Sequence, residues 1–176
     1  AIALSRYLKD TFEYESVDVI NYIPKRFRKI NRLKNISGHG AKHFFHGLVR
    51  MYRFEKTNRK YVSYLKENTS VSKPIYSMKE AKAEFGDYGN LIAGSDQIWN
   101  YMHTDNMDVY FLEFAKKFKA KRISYAASIS VSHIPDSRQN LYKKLLPNIQ
   151  CLSVRELQGA KIIEYLTGRK AEVVLD

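Results

Sequence analysis

The sequence predicts an α/β fold built on a parallel sheet flanked by helices. Three observations predict it. Apolar runs at 90–94, 121–128 and 149–154 are of strand length, and stretches of helical period separate them. Each run ends in small or polar residues: Gly-Ser-Asp-Gln at 94–97, Ala-Ala-Ser at 126–128, Arg-Glu at 155–156. The chain of 176 residues, 44% hydrophobic and 27% charged, is long enough for one substantial core. In open parallel sheets, ligands sit beyond the carboxyl ends of the strands, so those three ends are where a site is expected.

The elements follow in order. A helix opens the chain, with Ile2, Leu4, Leu8 and Phe12 on one side and Arg6, Lys9 and Asp10 on the other. Residues 16–22 alternate apolar and polar and predict a strand that Pro24 ends. The basic stretch 25–38 leads into Ser-Gly-His-Gly and reads as a loop. From Ala41 to about Glu67 the period is helical, as one long helix or two with a break near Thr57 and Asn58. Ser77 is a candidate cap for a helix from Met78, with Glu80 in its first turn and Gly86 and Gly89 closing it. The strand at 90–94 follows. Within 101–120, Tyr110 to Phe114 is expected to pack a loop or short helix on the sheet. Pro135, Asp136 and Ser137 start a helix that Pro147 stops. Another, from Glu156 to Leu166, carries a stripe of Leu157, Ala160, Ile163 and Leu166 and closes at Gly168. A strand at 172–175 ends the sequence.

Charge is unevenly placed. Residues 25–60 hold twelve Lys or Arg against Glu55 alone, a net +11 of the chain's +12. The plain reading is a solvated face; the sharper ones are an anionic membrane, an acidic glycan and, ranked last, nucleic acid. No run approaches the roughly 18 apolar residues of a membrane span. Cys151, the only cysteine, excludes an internal disulfide; inside an apolar run it is expected to be a buried packing residue. His39, His43 and His46 share one face of a helix, but no Cys or carboxylate joins them, so no metal site is predicted. Gly-x-Gly-x-x-Gly, Gly-Lys-Ser and Cys-x-x-Cys patterns are absent.

Several residues carry candidate chemistry. Arg155 stands where a strand meets a helix N-terminus, and a planar guanidinium matches a carboxylate or phosphate bidentately. Its plainer reading is a pair with Glu156 or another surface carboxylate. Asp96, with Gln97 and Asn100, suits hydrogen bonding to sugar hydroxyls. The bland alternative is a strand-to-helix turn capped by Ser95 or Asp96. Ser124 and Ser128 are candidates for phosphate contacts through hydroxyls and neighbouring backbone N–H groups, or else are small-residue packing.

The order Gly94-Ser-Asp-Gln-Ile-Trp-Asn100, then Ser124-Tyr-Ala-Ala-Ser128, then Ser153-Val-Arg-Glu156, then Val173-Val-Leu-Asp176 resembles the polysaccharide pyruvyl transferase family from about Tyr76 to Asp176; the N-terminal part resembles it only in element order. The resemblance implies two Rossmann-like domains in a glycosyltransferase-B-like arrangement, of which residues 1–176 would be the N-terminal one. Family members begin with a strand and a glycine-containing loop before the first helix and continue after the Leu-Asp pair into a second domain. The chain is therefore expected to be cut at both ends and inactive alone. The implied reaction moves a pyruvyl (carboxyvinyl) group from phosphoenolpyruvate onto a saccharide as a ketal, with no cofactor or metal. Its substrate contacts would fall on Ser95, Asp96, Gln97, Asn100, Ser124, Ser128 and Arg155. Asp96 is the candidate base, and the acid would be a histidine of the second domain. The family commonly follows Ala-Ala-Ser with an aromatic and a glycine; here Ile129 and Ser130 stand instead, and Ser130 restricts a turn that glycine makes easily. The expected place is cytoplasmic, with residues 25–60 against the inner membrane face. The rival function is a non-catalytic basic module that binds an acidic polymer or anionic membrane.

Overall fold

The structure, a computed structural model, describes residues 2–25, 28, 40–103 and 106–176, and the side chains of all of these except 40–44. Among the described residues the architecture is mixed α/β, with six α-helices and small parallel sheets and no closed barrel. The chain divides into two compact units, 1–76 and 77–176.

The first unit holds α1 (Ile2–Thr11), β1 (Asp18–Val19), α2 (Gly40–Asn68) and β2 (Ser70–Val71). β1 and β2 pair in parallel, Asp18 opposite Ser70 and Val19 opposite Val71, and a bridge between Tyr22 and Ile75 extends the pairing. α2 runs unbroken through Thr57 and Asn58 for 29 residues; neither residue is a Gly or Pro that would stop it. The buried Ser5 hydroxyl and the Thr69 hydroxyl, 2.9 Å apart, tie α1 to the end of α2. Most of the basic loop expected at 25–38, together with His39 and the side chain of His43, lies outside the described residues.

The second unit holds α3 (Met78–Glu84), β3 (Asn90–Gly94), α4 (Met107–Tyr110), β4 (Lys121–Tyr125), α5 (Asp136–Leu145), β5 (Ser153–Val154), α6 (Leu157–Thr167) and β6 (Glu172–Val173), with short 3₁₀ turns at Glu113–Ala115 and Leu146–Asn148. α3 starts on a reciprocal cap: the Glu80 N–H donates to Ser77 Oγ at 3.2 Å, and Ser77 Oγ donates to the Glu80 carboxylate at 3.0 Å. α6 stops where Gly168 turns left-handed at φ 71°, its N–H on Glu164 O.

All strand pairs are parallel. β3 pairs with β4 over five residues, Asn90 opposite Lys121 through Gly94 opposite Tyr125. β5 pairs with β6, and bridges at Ile123–Cys151 and Ala127–Val154 join β4 to β5. The lateral order is therefore β3, β4, β5, β6. Parallel strands bring their carboxyl ends to one edge because each helical crossover returns the chain in the same direction.

Two packing expectations are corrected. Cys151 is exposed: it precedes β5, and burial resumes at Leu152 and continues through Ser153 and Val154. In α6, Ile163 and Leu166 are buried as expected, but Leu157 is 62% exposed and Ala160 only half-buried, and Gly159 and Ile162 complete the buried face instead.

Candidate functional site at the carboxyl edge of the sheet

Gly94 ends β3 against the β4 backbone. A Cβ there would lie 1.8 Å from Tyr125 O, so the two strand ends approach more closely than a side chain permits. The chain then turns through Ser95 and Asp96, the latter at φ 59° and exposed.

Trp99 fixes this turn from below. It is fully buried and stacks on Phe111, with ring centroids 4.7 Å apart and planes 3° from parallel. Its indole N–H donates to Tyr110 O at 3.2 Å. The Tyr142 hydroxyl donates to Trp99 O, and burial pushes that hydroxyl's pKa up, so it stays a donor. Asn100 is also buried; its amide donates to Gln97 Oε1 at 3.2 Å and its oxygen accepts the Met102 N–H at 2.9 Å. Gln97 and Asn100 thus hold each other inside the turn.

The loop after β4 joins the turn to the next strand. Ala126 and Ser130 both have positive φ, 50° and 51°. Ser130 therefore adopts the left-handed conformation that glycine makes easily, although its side chain was expected to restrict it. The Ser128 N–H donates to Asp96 O at 3.0 Å, and Ser128 O accepts the Trp99 N–H at 3.1 Å. Ser124, expected among the phosphate contacts, is 2% exposed and faces β5: its hydroxyl donates to Ser153 O and accepts the Ser153 N–H, both at 2.9 Å. Ser153 Oγ answers with a bond to Ser124 O at 2.7 Å. Ser128 is likewise buried, its hydroxyl on Glu156 Oε1 at 3.0 Å.

Arg155 follows β5 immediately. Its Nη1 lies 3.0 Å from Asp176 Oδ2 and its Nε 3.7 Å from Glu156 Oε2. About a third of its side chain stays exposed. The Ser95 hydroxyl, and then the Arg155 guanidinium, hold the Asp176 carboxyl below the usual carboxylate range. The ends of β3, β5 and β6 thus meet at one place, where Ser95, Arg155 and Asp176 are neighbours and Asp96 adjoins Ser95 in the chain. Both plain partners foreseen for Arg155, Glu156 and a further carboxylate, are present.

Glu156 was foreseen only as a partner of Arg155, and Asp176 had no named role: the contacts of Glu156 with residues 128–130, and of Asp176 with Arg155, join positions more than 20 apart in the chain. Among the described residues no group of three or more His, Cys, Asp or Glu is placed to hold a metal ion. A groove of about 560 Å³ opens between the start of α5 and α6, lined among others by His133, Asp136, Gln158, Lys161 and Tyr165, and holds none of the expected site residues.

No curated protein and no solved structure matches the chain. The family model described as polysaccharide pyruvyl transferase matches residues 1–176, its whole length. Four motifs put their polar residues at one sheet edge, and that model spans the strands that bring them there: the chain belongs to the polysaccharide pyruvyl transferase family.

Proposed function

We propose that the protein transfers a pyruvyl group from phosphoenolpyruvate to a saccharide as a ketal, and that residues 77–176 supply one wall of the cleft. The observation that carries this reading is the meeting of Ser95, Arg155 and Asp176 at the carboxyl edge. Phosphoenolpyruvate has two anionic groups, and Arg155 offers a guanidinium fork to either. One acceptor hydroxyl oxygen attacks C2 and the methylene carbon gains a proton to become methyl. Phosphate leaves with the C2–O bond, and the second hydroxyl oxygen closes the ketal. Of the two hydroxyl protons, one is balanced by the methyl group and the other by the departing phosphate. Asp96 stands at this edge to receive a proton, while Asp176 stays the charged partner of Arg155. Gln97, Asn100, Ser124 and Ser128 hold the turn and the strand ends in place. The parallel pairs are consistent with a Rossmann-like domain; the proposal adds a glycosyltransferase-B-like partner domain and a cytoplasmic reaction that uses no metal or cofactor. The full protein, given phosphoenolpyruvate and candidate saccharides, is expected to release inorganic phosphate in step with a ketal methyl signal in the proton NMR spectrum. Phosphate release without that signal, or neither, sinks the reading.

A second observation favours a membrane-side role for the basic segment. On α2, Val49, Tyr52, Arg53, Lys56 and Lys60 recur at helical spacing and are all exposed, while Met51, Glu55, Val62 and Leu65 on the other side are half-buried. Exposed Val49 and Tyr52 beside Arg53, Lys56 and Lys60 suit an anionic lipid surface, where each cation contributes about 1 kcal/mol. The protein is expected to sediment with phosphatidylglycerol vesicles but not phosphatidylcholine ones, and Arg53→Glu with Lys56→Glu and Lys60→Glu to abolish this. Equal binding to both vesicle types refutes the assignment.

A further inference from the structure

We infer that Glu156 is a positioning residue: its carboxylate fills an anion nest in the loop after β4, and so braces that loop against the Ser95–Asp96 turn. The kinetic part of this inference rests on the transfer reading above; the structural part does not.

One oxygen of Glu156 collects three donors. Ser128 Oγ lies 3.0 Å from Oε1, the Ile129 N–H nitrogen 2.8 Å and the Ser130 N–H nitrogen 2.9 Å. Successive N–H groups that converge beside a left-handed residue, here Ser130 at φ 51°, form a concavity that selects an anion. Ser128 and Ile129 are fully buried, so these donors have no water to fall back on. The other oxygen of Glu156 faces Arg155 Nε at 3.7 Å. Glu156 occupies the N-cap of α6 without capping it, at φ −124° and ψ 140°. Its side chain is committed to the loop instead.

The loop passes the constraint on. Ser128 holds the β3 turn at both backbone atoms, by its N–H on Asp96 O and its carbonyl on the Trp99 N–H. A continuous set of contacts thus runs from the start of α6 to Asp96. The protein's own carboxylate takes the 128–130 donors, which leaves Arg155 to receive an incoming anion. Without the Glu156 carboxylate, Arg155 stays on its strand through its N–H to Ala127 O, at 3.3 Å, while the turn that carries Ser95 and Asp96 loses its brace. Misplacement by about 1 Å costs on the order of a hundredfold in rate. The loss falls on kcat and spares the donor's KM.

The test uses Glu156→Ala and Glu156→Gln in the full protein, with sodium formate as the probe. In Glu156→Ala the Ile129 and Ser130 amides are expected to exchange hydrogen at least tenfold faster than in the parent, and formate to restore their protection. Turnover of phosphoenolpyruvate falls about a hundredfold with KM changed less than about threefold, and formate recovers at least a tenth of it. Glu156→Gln keeps one oxygen acceptor, so it folds and lies between the two. Unchanged exchange of both amides in either variant overturns the nest. A KM that rises with kcat intact, or an activity loss that only tracks the unfolded fraction, overturns the brace. If the parent protein releases no phosphate from phosphoenolpyruvate, the transfer reading fails, and the exchange measurement still decides whether Glu156 holds the loop.

Discussion

Arg155→Ala in the full protein is expected to lower kcat/KM for phosphoenolpyruvate by about ten- to a hundredfold, mostly through KM. Hydrogen bonds to charged groups contribute about 1.5–3 kcal/mol, and 1.4 kcal/mol is tenfold in a rate or binding constant. The substitution also leaves Asp176 without its cation, so an incoming anion meets a bare carboxylate, which acts in the same direction. The fold survives, because the lost contacts are two partly exposed ion pairs, each contributing below about 1 kcal/mol. Arg155→Lys keeps the charge but not the fork, and falls between. A titration gives an independent readout. In the parent protein the Ser95 hydroxyl and the Arg155 guanidinium depress the Asp176 carboxyl. What this pairing adds to stability is therefore present above the ordinary carboxylate range and is lost as pH falls through the depressed value. In Arg155→Ala the Asp176 carbon signal is expected to titrate at higher pH, with the Ser95 part of the depression retained. Unchanged KM and turnover in the variant would dismiss Arg155 as the anion receiver.

What was legible in the sequence is what local pattern encodes. The β3 and β4 ends announce themselves because apolar runs stop at Gly94 and at Ala126–Ser128. The Ser77 cap is read from Glu80 three residues on, and the end of α6 from Gly168. What escaped depends on partners far along the chain. β2 holds two residues, too few for a run, and exists only through its parallel pairing with β1, the strand that the alternation at 16–22 announced. Ser124 is a strand serine whose hydroxyl answers Ser153, 29 positions away, and no pattern separates that from a ligand contact. Glu156 looks like an ordinary first-turn acid of a helix, and only the conformation of residues 128–130 turns it away from its own helix. Cys151 shows the limit of reading burial from neighbours: it sits just ahead of the two-residue β5, where the chain is exposed.

Trp99→Ala is expected to cost about 3–5 kcal/mol of stability, the range for removing a fully buried large aromatic side chain. For a domain stable by about 5–15 kcal/mol, that is a large part of the whole. The loss has three sources. The cavity opens against Phe111, which loses its stacked partner at 4.7 Å. Tyr110 O loses the indole donor. The bond from the Tyr142 hydroxyl to Trp99 O and the Trp99 N–H bond to Ser128 are backbone contacts, and survive only if the turn keeps its shape. Trp99→Phe separates these sources. It retains one ring for Phe111 and removes the indole N–H with part of the ring volume, so it is expected to cost about 1–3 kcal/mol, a lost buried hydrogen bond plus a partly filled cavity. Activity should follow geometry more than stability. Trp99 supports the turn that carries Ser95 and Asp96, whereas Arg155 hangs from β5. Trp99→Phe, still folded, is therefore expected to lose turnover while binding phosphoenolpyruvate with nearly the parent KM, the reverse of Arg155→Ala. Urea unfolding followed by circular dichroism, with steady-state kinetics on both variants, checks the pair of claims. A loss under about 1 kcal/mol in Trp99→Ala would mean that the turn is held by something other than its tryptophan.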